Sequence, residues 1–463
     1  EVGAYSAKKF QAYLNGGLSD SVAASLSMSV NKRDGYSETA IAGNKDVNDT
    51  NRKSVRADIY SDISDTLNVR FIADYSEVDE LCCTVGNLVP GQSLYAVQAL
   101  GGTQTPGNPY TYDYSPSFDP TNDVSDKGYS LTLEKDLGFA TLTSITSDRT
   151  SHSITDTDIG FDSAPIFAHS PKVLKLENLT QEFRLTSNGD ERLDWQVGAF
   201  YAQEDLYHEF RLTFGQVFRN YADILAGGNG NGAVLNFVDN AVAPFIPEGF
   251  EGQPSYSNDT GTLEIFTQDN ESISIFAQVD YEVTEKLTAT LGFSYFEDEK
   301  SVTMKHENDT WFSQIDLVQV GFAGAYVGYL GAVVEGYLGT ATQGFLDSVC
   351  GDSVACAAAA LPDAQAFAAT QLPAAQAFAQ TQAGEAAAFA TQASTDPEQN
   401  TLLGFVPLQF LPLKTGFPNV GEDGKSSDDN MDYSIKLSYQ LNEQVTLYGG
   451  LATGYKATQW NLS

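Results

Sequence analysis

Basic residues are scarce in this 463-residue chain: 25 Lys and Arg stand against 61 Asp and Glu, a formal net charge of −36. A surface of that sign repels phosphate, which excludes nucleic acid as a partner. Histidine is scarcer still. His152, His169, His208 and His306 lie far apart, and none has a second histidine at metal-ligand spacing, so no metal site is read from them. No G-x-S-x-G elbow occurs. The one glycine-rich run, GGNGNG at 227–232, lacks the spacing of a dinucleotide or phosphate loop and reads as a flexible loop tip. The chain is therefore not expected to be an enzyme.

Cysteine is sparse, with four in all. Cys82 and Cys83 are adjacent in one connecting stretch, and Cys350 and Cys356 lie close together in another. Four cysteines allow three pairings, an oxidising compartment would keep such bonds, and Cys350 with Cys356 is the favoured pair. No resident cofactor is expected. The one option weighed is a loop-bound Ca²⁺ at Asp428, Asp429 and Asp432, or at Asp156, Asp158 and Asp162, although neither group has the Gly and Glu placement of an EF-hand loop. The acidic excess otherwise reads as solvated loops and a wet interior.

Overall hydropathy is low too. Mean hydropathy is −0.23, too polar for a helical membrane protein. The first ten residues, EVGAYSAKKF, lack the apolar core of a secretory signal.

What the chain does have is period two. In the last stretch Tyr433, Ile435, Leu437, Tyr439 and Leu441 fall on one side of a strand, and Asp432, Ser434, Lys436, Ser438 and Gln440 on the other. After Asn442 and Glu443 the alternation resumes with Val445, Leu447, Gly449 and Leu451. The same pattern recurs upstream. Phe10 to Leu18 turns near Ser19 and Asp20 into Val22 to Val30; Val55 to Ile59 turns through DISDT into Leu67 to Tyr75. GYSLTLEKDLGFATLTSITS turns at Asp136, Leu137 and Gly138. Phe183 and Leu185 turn through SNGDER into Leu193 to Tyr201, and Ile273 to Val283 turns at Thr284 and Glu285 into Leu287 to Tyr295. Six hairpins predict about twelve strands of about ten residues, the length that crosses a bilayer at a tilt.

Between hairpins the chain runs through long, unequal stretches, Glu77 to Asp126, Leu206 to Asn270 and Val302 to Asp429, whereas the turns within hairpins are short. Short turns at one end and long loops at the other predict an all-β fold, a transmembrane antiparallel β-barrel with long extracellular loops. The 23 Tyr and 27 Phe suit aromatic girdles at the membrane surfaces.

The last long stretch breaks the β pattern. LVQVGFAGAYVGYLGAVV is barely long enough for a membrane helix and holds Gln319, so it reads as a helix packed within the loop. An eleven-residue repeat follows: PDAQAFAATQL, PAAQAFAQTQA, GEAAAFATQAS. Eleven residues make close to three helical turns, which puts Phe367, Phe378 and Phe389 on one face, packed against the preceding helix, another loop or a second protein. Pro373 is expected to kink or interrupt that helix.

Three segments carry a family resemblance. NLTQEFRLTSNGDERLDWQVGAFYAQEDL, SISIFAQVDYEVTEKLTATLGFSYFEDEK and VTLYGGLATGYKATQWN resemble barrel hairpins of TonB-dependent outer-membrane receptors, and the likeness extends over all six hairpins. It implies a barrel of about 22 strands around a plug domain. It also implies energy-coupled uptake of a scarce nutrient, such as a ferric siderophore, cobalamin or saccharide. The cargo is thus a small molecule or metal complex, and TonB is engaged through the plug. The implied location is the outer membrane of a Gram-negative bacterium, among its lipid and lipopolysaccharide. The chain opens directly on what reads as the first barrel hairpin and stops on Trp460, Asn461, Leu462 and Ser463. It is accordingly expected to be a partial barrel over 1–463, about twelve strands of about 22, from a longer polypeptide, with a helical extracellular insert at about 311–395 and no plug domain. No ligand-binding residue is carried over. The alternative is a passive porin or a barrel-anchored surface protein.

Overall fold

The computed structural model describes residues 1–39, 45–89, 91–105, 107–189, 192–410 and 416–460. Asp190 and Glu191 of the SNGDER turn, and Asn461, Leu462 and Ser463, lie outside the described residues. Two compact units are present: Glu1–Phe218 with Asn258–Asn308 and Pro412–Ser463, and Arg219–Ser257 with Asp309–Leu411.

The first unit is built on twelve strands: β1 (Lys8–Ser19), β2 (Val22–Arg33), β3 (Thr50–Ser64), β4 (Leu67–Glu80), β5 (Thr121–Asp136), β6 (Ala140–Asp156), β7 (Lys172–Ser187), β8 (Leu193–Thr213), β9 (Gly261–Thr284), β10 (Leu287–Asn308), β11 (Lys425–Asn442) and β12 (Val445–Ala452). Each pairs with the next in sequence in one 12-stranded sheet. All eleven pairings are antiparallel. β1 and β12 are its edges, so the described sheet is open.

The short turns share a side-chain device. A hydroxyl, amide or carboxylate oxygen just before the turn accepts the N–H two residues on: Ser19 from Ser21 at 3.4 Å, Ser64 from Thr66 at 3.4 Å, Asp136 from Gly138 at 2.7 Å, Thr284 from Lys286 at 3.3 Å and Asn442 from Gln444 at 2.9 Å. Such a bond mimics a backbone turn and reverses the chain within two residues. Register then follows from the turn.

The strands run well past the apolar alternation, and this corrects the expected loop bounds. β8 continues to Thr213, β9 starts at Gly261, β10 continues to Asn308 and β11 starts at Lys425. Along one face of β10, Leu287, Ala289, Leu291, Phe293 and Tyr295 give way to Glu297, Glu299, Ser301, Thr303, Lys305 and Glu307. β8 changes on the same face after Tyr201, to Gln203, Asp205, Tyr207, Glu209 and Arg211. The changes align, because Tyr201 pairs with Ile273 and Ile273 with Glu297. On the opposite face the polarity changes the other way: Phe266, Val302 and Met304 are buried in a cluster with Leu206, Phe417 and Trp460. The apolar stretch Leu287–Tyr295 spans about 30 Å along the strand, and at a tilt of about 40° it stands about 23 Å tall, close to the band of an outer-membrane barrel. Beyond the band a strand needs no apolar outer face.

Below that change the opposite face carries charge in cross-strand pairs: the Arg70 guanidinium forks onto Asp58 at 3.0 and 2.6 Å, and Arg56 faces Asp74 at 3.9 Å. Past the change the same face still holds ion pairs, with Arg52 forked onto Glu80 at 2.6 and 3.0 Å, and Asp298 accepting from Ser272 at 2.6 Å and paired with Lys300.

Helices occupy the long connections: α1 (Gln92–Ala99), α2 (Phe218–Leu225), α3 (Ala233–Val242), α4 (Leu317–Cys350), α5 (Val354–Thr370), α6 (Leu372–Thr381) and α7 (Ala383–Thr395). All but α1 lie in the second unit, save Phe218 at the start of α2.

Candidate functional site: the loop layer and the aromatic helical insert

In the first unit the β4–β5 and β6–β7 connections are clasped through buried carboxylates. Asp158 accepts the Ser117 N–H at 2.6 Å and the Gly160 N–H at 3.0 Å; Asp162 accepts the Ala164 N–H at 2.8 Å. Both side chains are almost wholly buried. Burial lifts the Asp162 carboxyl to about 6, with the Asp158 charge adding to the rise. Asp158 is raised as well, burial outweighing its backbone donors. Tyr114 is buried beside them with no hydrogen-bond partner on its hydroxyl, and burial holds that hydroxyl well above its usual range.

The calcium expectation is not met at these positions. Asp156 is engaged by the His169 ring at 2.6 Å and the Ser170 N–H at 2.9 Å, while Asp158 and Asp162 turn to separate backbone donors. The other group is also dispersed: Asp428 accepts from the Tyr455 hydroxyl at 2.8 Å and the Thr458 N–H at 3.0 Å, Asp432 accepts from Thr453 at 2.9 Å, and Asp429 stands opposite Glu297. Among the described residues no three acidic, histidine or cysteine side chains are placed to hold a metal ion. Cys82 is bonded to Cys83, and Cys350 to Cys356.

In the second unit the glycine-rich run has a defined job. The Asp223 carboxylate, at the end of α2 and fully buried, accepts N–H groups from Gly230 at 3.0 Å and from Val234 and Leu235 at 2.8 and 3.3 Å. It satisfies the open N–H groups at the start of α3, where a helix terminus favours an anion. A Cβ on Gly228 would sit 2.3 Å from the same carboxylate, so the chain can wrap it only with glycine there. The run is a wrapped carboxylate site rather than a free loop tip.

α4 begins on Asp316, whose carboxylate accepts the Val318 and Gln319 N–H groups at 2.9 and 3.0 Å. By length and composition α4 could cross a membrane. α5, α6 and α7 return along it, and the three phenylalanines each meet a ring of α4: Phe367 with Phe345 at 5.4 Å, Phe378 with Tyr337 at 5.7 Å, and Phe389 with Tyr329 at 5.6 Å between centroids. Ala364, Ala375 and Ala386 are fully buried in the same position of each repeat. The outer sides of the three phenylalanines stay open to solvent. The partner rings escaped the sequence reading, although Tyr329, Tyr337 and Phe345 recur every eight residues. A search for apolar runs alone does not separate rings from their aliphatic surroundings.

No protein-family model and no curated protein sequence matches the chain. Among solved structures it is similar to the ferric yersiniabactin uptake receptor FyuA from Yersinia pestis, with 11% identity, a TM-score of 0.53, and coverage of 97% of this chain and 45% of that one. It is also similar to the ferric-catecholate import receptor Fiu from E. coli K12 (11% identity, TM-score 0.48, 97% and 53% covered) and to the siderophore receptor PiuA from Acinetobacter baumannii (11%, 0.49, 97% and 48%). The latter two are too remote to carry an argument. The chain thus spans about half the length of these receptors, and the likeness to FyuA shows the fold alone, a large antiparallel sheet of the kind that forms a β-barrel in its neighbours.

Proposed function

We propose that the chain is the barrel portion of an outer-membrane receptor that imports a scarce small molecule or metal complex, such as a ferric siderophore, cobalamin or saccharide, in an energy-coupled step. The observation that carries this is the aligned polarity change at Tyr201, Ile273 and Glu297. Below it the sheet shows apolar, aromatic-edged surface on one face and paired charges on the other; above it the first face turns polar, and the other gains the buried Phe266, Val302 and Met304 cluster beside the Asp298–Lys300 pair. A lipid-facing band beneath a water-exposed collar has this form. In this reading the sheet closes with further strands into a barrel of about 22, since edges left open in lipid strand their N–H and C=O groups. Lipid and lipopolysaccharide surround the band, the long connections and the helical insert at about 311–395 are extracellular, and TonB acts through a plug domain. The fold shared with FyuA, a ferric yersiniabactin uptake receptor, supports the cargo class.

Deleting the gene and measuring uptake of labelled ferric complexes, cobalamin and oligosaccharides, with and without a protonophore, tests the reading. Loss of one uptake activity that the protonophore also abolishes is expected, with the protein in the outer-membrane fraction. Uptake that ignores the protonophore, together with steady conductance in planar bilayers, would instead point to a passive porin.

A further inference from the structure

Two sequence periods meet in the helical insert. α4 repeats every eight residues, as GYLGAVVE, GYLGTATQ and GFLDSVCG from Gly328 to Gly351, whereas the return path repeats every eleven. Each eight-residue unit meets one eleven-residue unit at a ring pair, in antiparallel order. The first two units of the return path match down to their hydrogen bonds: Thr370 donates to the Phe367 carbonyl and Thr381 to that of Phe378, both at 2.6 Å, and Gln371 and Gln382 donate to the neighbouring Thr at 3.0 and 3.2 Å. In the third, Thr391 comes one position earlier and donates to the Ala387 carbonyl at 2.8 Å.

The two periods do not fit as straight helices. Eight residues advance an α-helix by about 12 Å and turn it about 80° past two full turns, whereas eleven advance it by about 16 Å and turn it only about 20° past three. The rings on α4 therefore move around its axis, while those of a straight return helix would stay in line and overshoot. The return path breaks between units, at Gln371 and at Gln382, which leaves each short helix able to take its own angle. The helix is interrupted just ahead of Pro373, as expected, but proline alone does not set the breaks. Pro373 follows the first and Gly384 the second, while Pro362, at the equivalent position, lies inside α5 with no break before it. The residues ahead of Pro362 have no rung on α4 to meet.

Both ends of the pairing are pinned. The Cys350–Cys356 bond closes the turn. At the base the Asn400 amide donates to the carbonyls of Leu317 at 3.0 Å and Ser394 at 2.8 Å. Neither path can slide against the other to absorb a change in length.

We propose that the insert is built of matched modules, each joining eight residues of α4 to eleven of the return path, so that its length changes in whole steps of about 12 Å only when both paths change together. The open groove of about 740 Å³ between the Phe367 and Phe378 rungs belongs to the module, and the surface offered to solvent is repeated or removed with it.

The test uses the full-length protein that contains this chain, in detergent, with amide hydrogen exchange read over 354–395 and sheet amides as the control for a folded barrel. One variant deletes 336–343 together with 373–383; two others delete either segment alone; a fourth duplicates both. The matched deletion and the matched duplication are expected to keep exchange in the return helices within about threefold of the parent, and each single deletion to speed it at least about tenfold. Single deletions as protected as the parent would overturn the proposal. So would matched variants as unprotected as the single ones, including failure of both matched variants to fold.

Discussion

Arg149 on β6 reaches Asp74 on β4 across the whole width of β5, its Nη2 2.9 Å from the carboxylate. The path runs over Gly128, where a Cβ would lie 2.5 Å from the same nitrogen, so the ion pair exists because the intervening strand has no side chain there. Asp74 also faces Arg56 at 3.9 Å. Gly128→Leu is therefore expected to cost about 1–2 kcal/mol by expelling the guanidinium. Arg149→Ala should cost a similar amount, and the double variant no more than either alone, because both remove one contact. Unfolding midpoints of the three variants check this; simple addition of the two losses would mean the pair contributes nothing.

Above the apolar band two rows of like charge stand in register: Glu271 directly opposite Glu299, and Asp205 opposite Asp269. Direct cross-strand repulsion destabilises a sheet. Glu299→Lys is expected to stabilise the protein by about 0.5–1 kcal/mol at low salt, with the gain shrinking as ionic strength rises. A gain that does not depend on salt would trace to something other than relieved repulsion.

These examples show what was legible in sequence. A strand with one apolar face repeats it at every second residue, so Leu287 to Tyr295 announced its strand, its faces and its turn. Glu297 to Asn308 belongs to the same strand but lies past that apolar face, and from Val302 on it read as loop. Asp158 and Asp162 looked like ligands because their partners, the Ser117, Gly160 and Ala164 N–H groups, are backbone atoms that a sequence does not display. Phe367, Phe378 and Phe389 were visible as a stripe, yet their partners on α4 were hidden by a second period, eight, that matches neither helix nor strand.

The Asp162 clasp should loosen as the pH rises. Its carboxyl titrates at about 6 in the folded loop against an ordinary 3.8, so the folded state takes up the proton more readily than the unfolded chain. The stability of the neutral form is fully present below about 3.8 and is lost as the pH rises through 6, a change on the order of 3 kcal/mol for the local unit. Asp158, raised by the same burial, acts in the same direction. Limited proteolysis of the 157–171 connection is expected to be faster at pH 7.5 than at pH 5 once protease activity is normalised. Asp162→Asn keeps an oxygen for the Ala164 N–H and should reduce the difference. An unaltered pH response in that variant would remove Asp162 from the account.

The middle rung of the insert offers the cleanest energetic check. Tyr337 and Phe378 lie 5.7 Å apart with their planes tilted by 39°, a geometry in which aromatic pairs gain energy beyond the area they bury. Tyr337 is also free of the hydroxyl bond that Tyr329 makes to Glu385 at 3.1 Å, so its contribution is not mixed with a polar one. Tyr337→Ala and Phe378→Ala should each speed hydrogen exchange in α6. In a double-mutant cycle the two losses should fall short of additivity by about 0.5–1.5 kcal/mol. The Gln371 and Gln382 breaks leave each short helix able to take its own angle, so exchange in α7, held by Tyr329 and Phe389, should change much less than in α6. Equal acceleration across α5, α6 and α7 would mean the insert opens as one unit, and that its rungs are not separable.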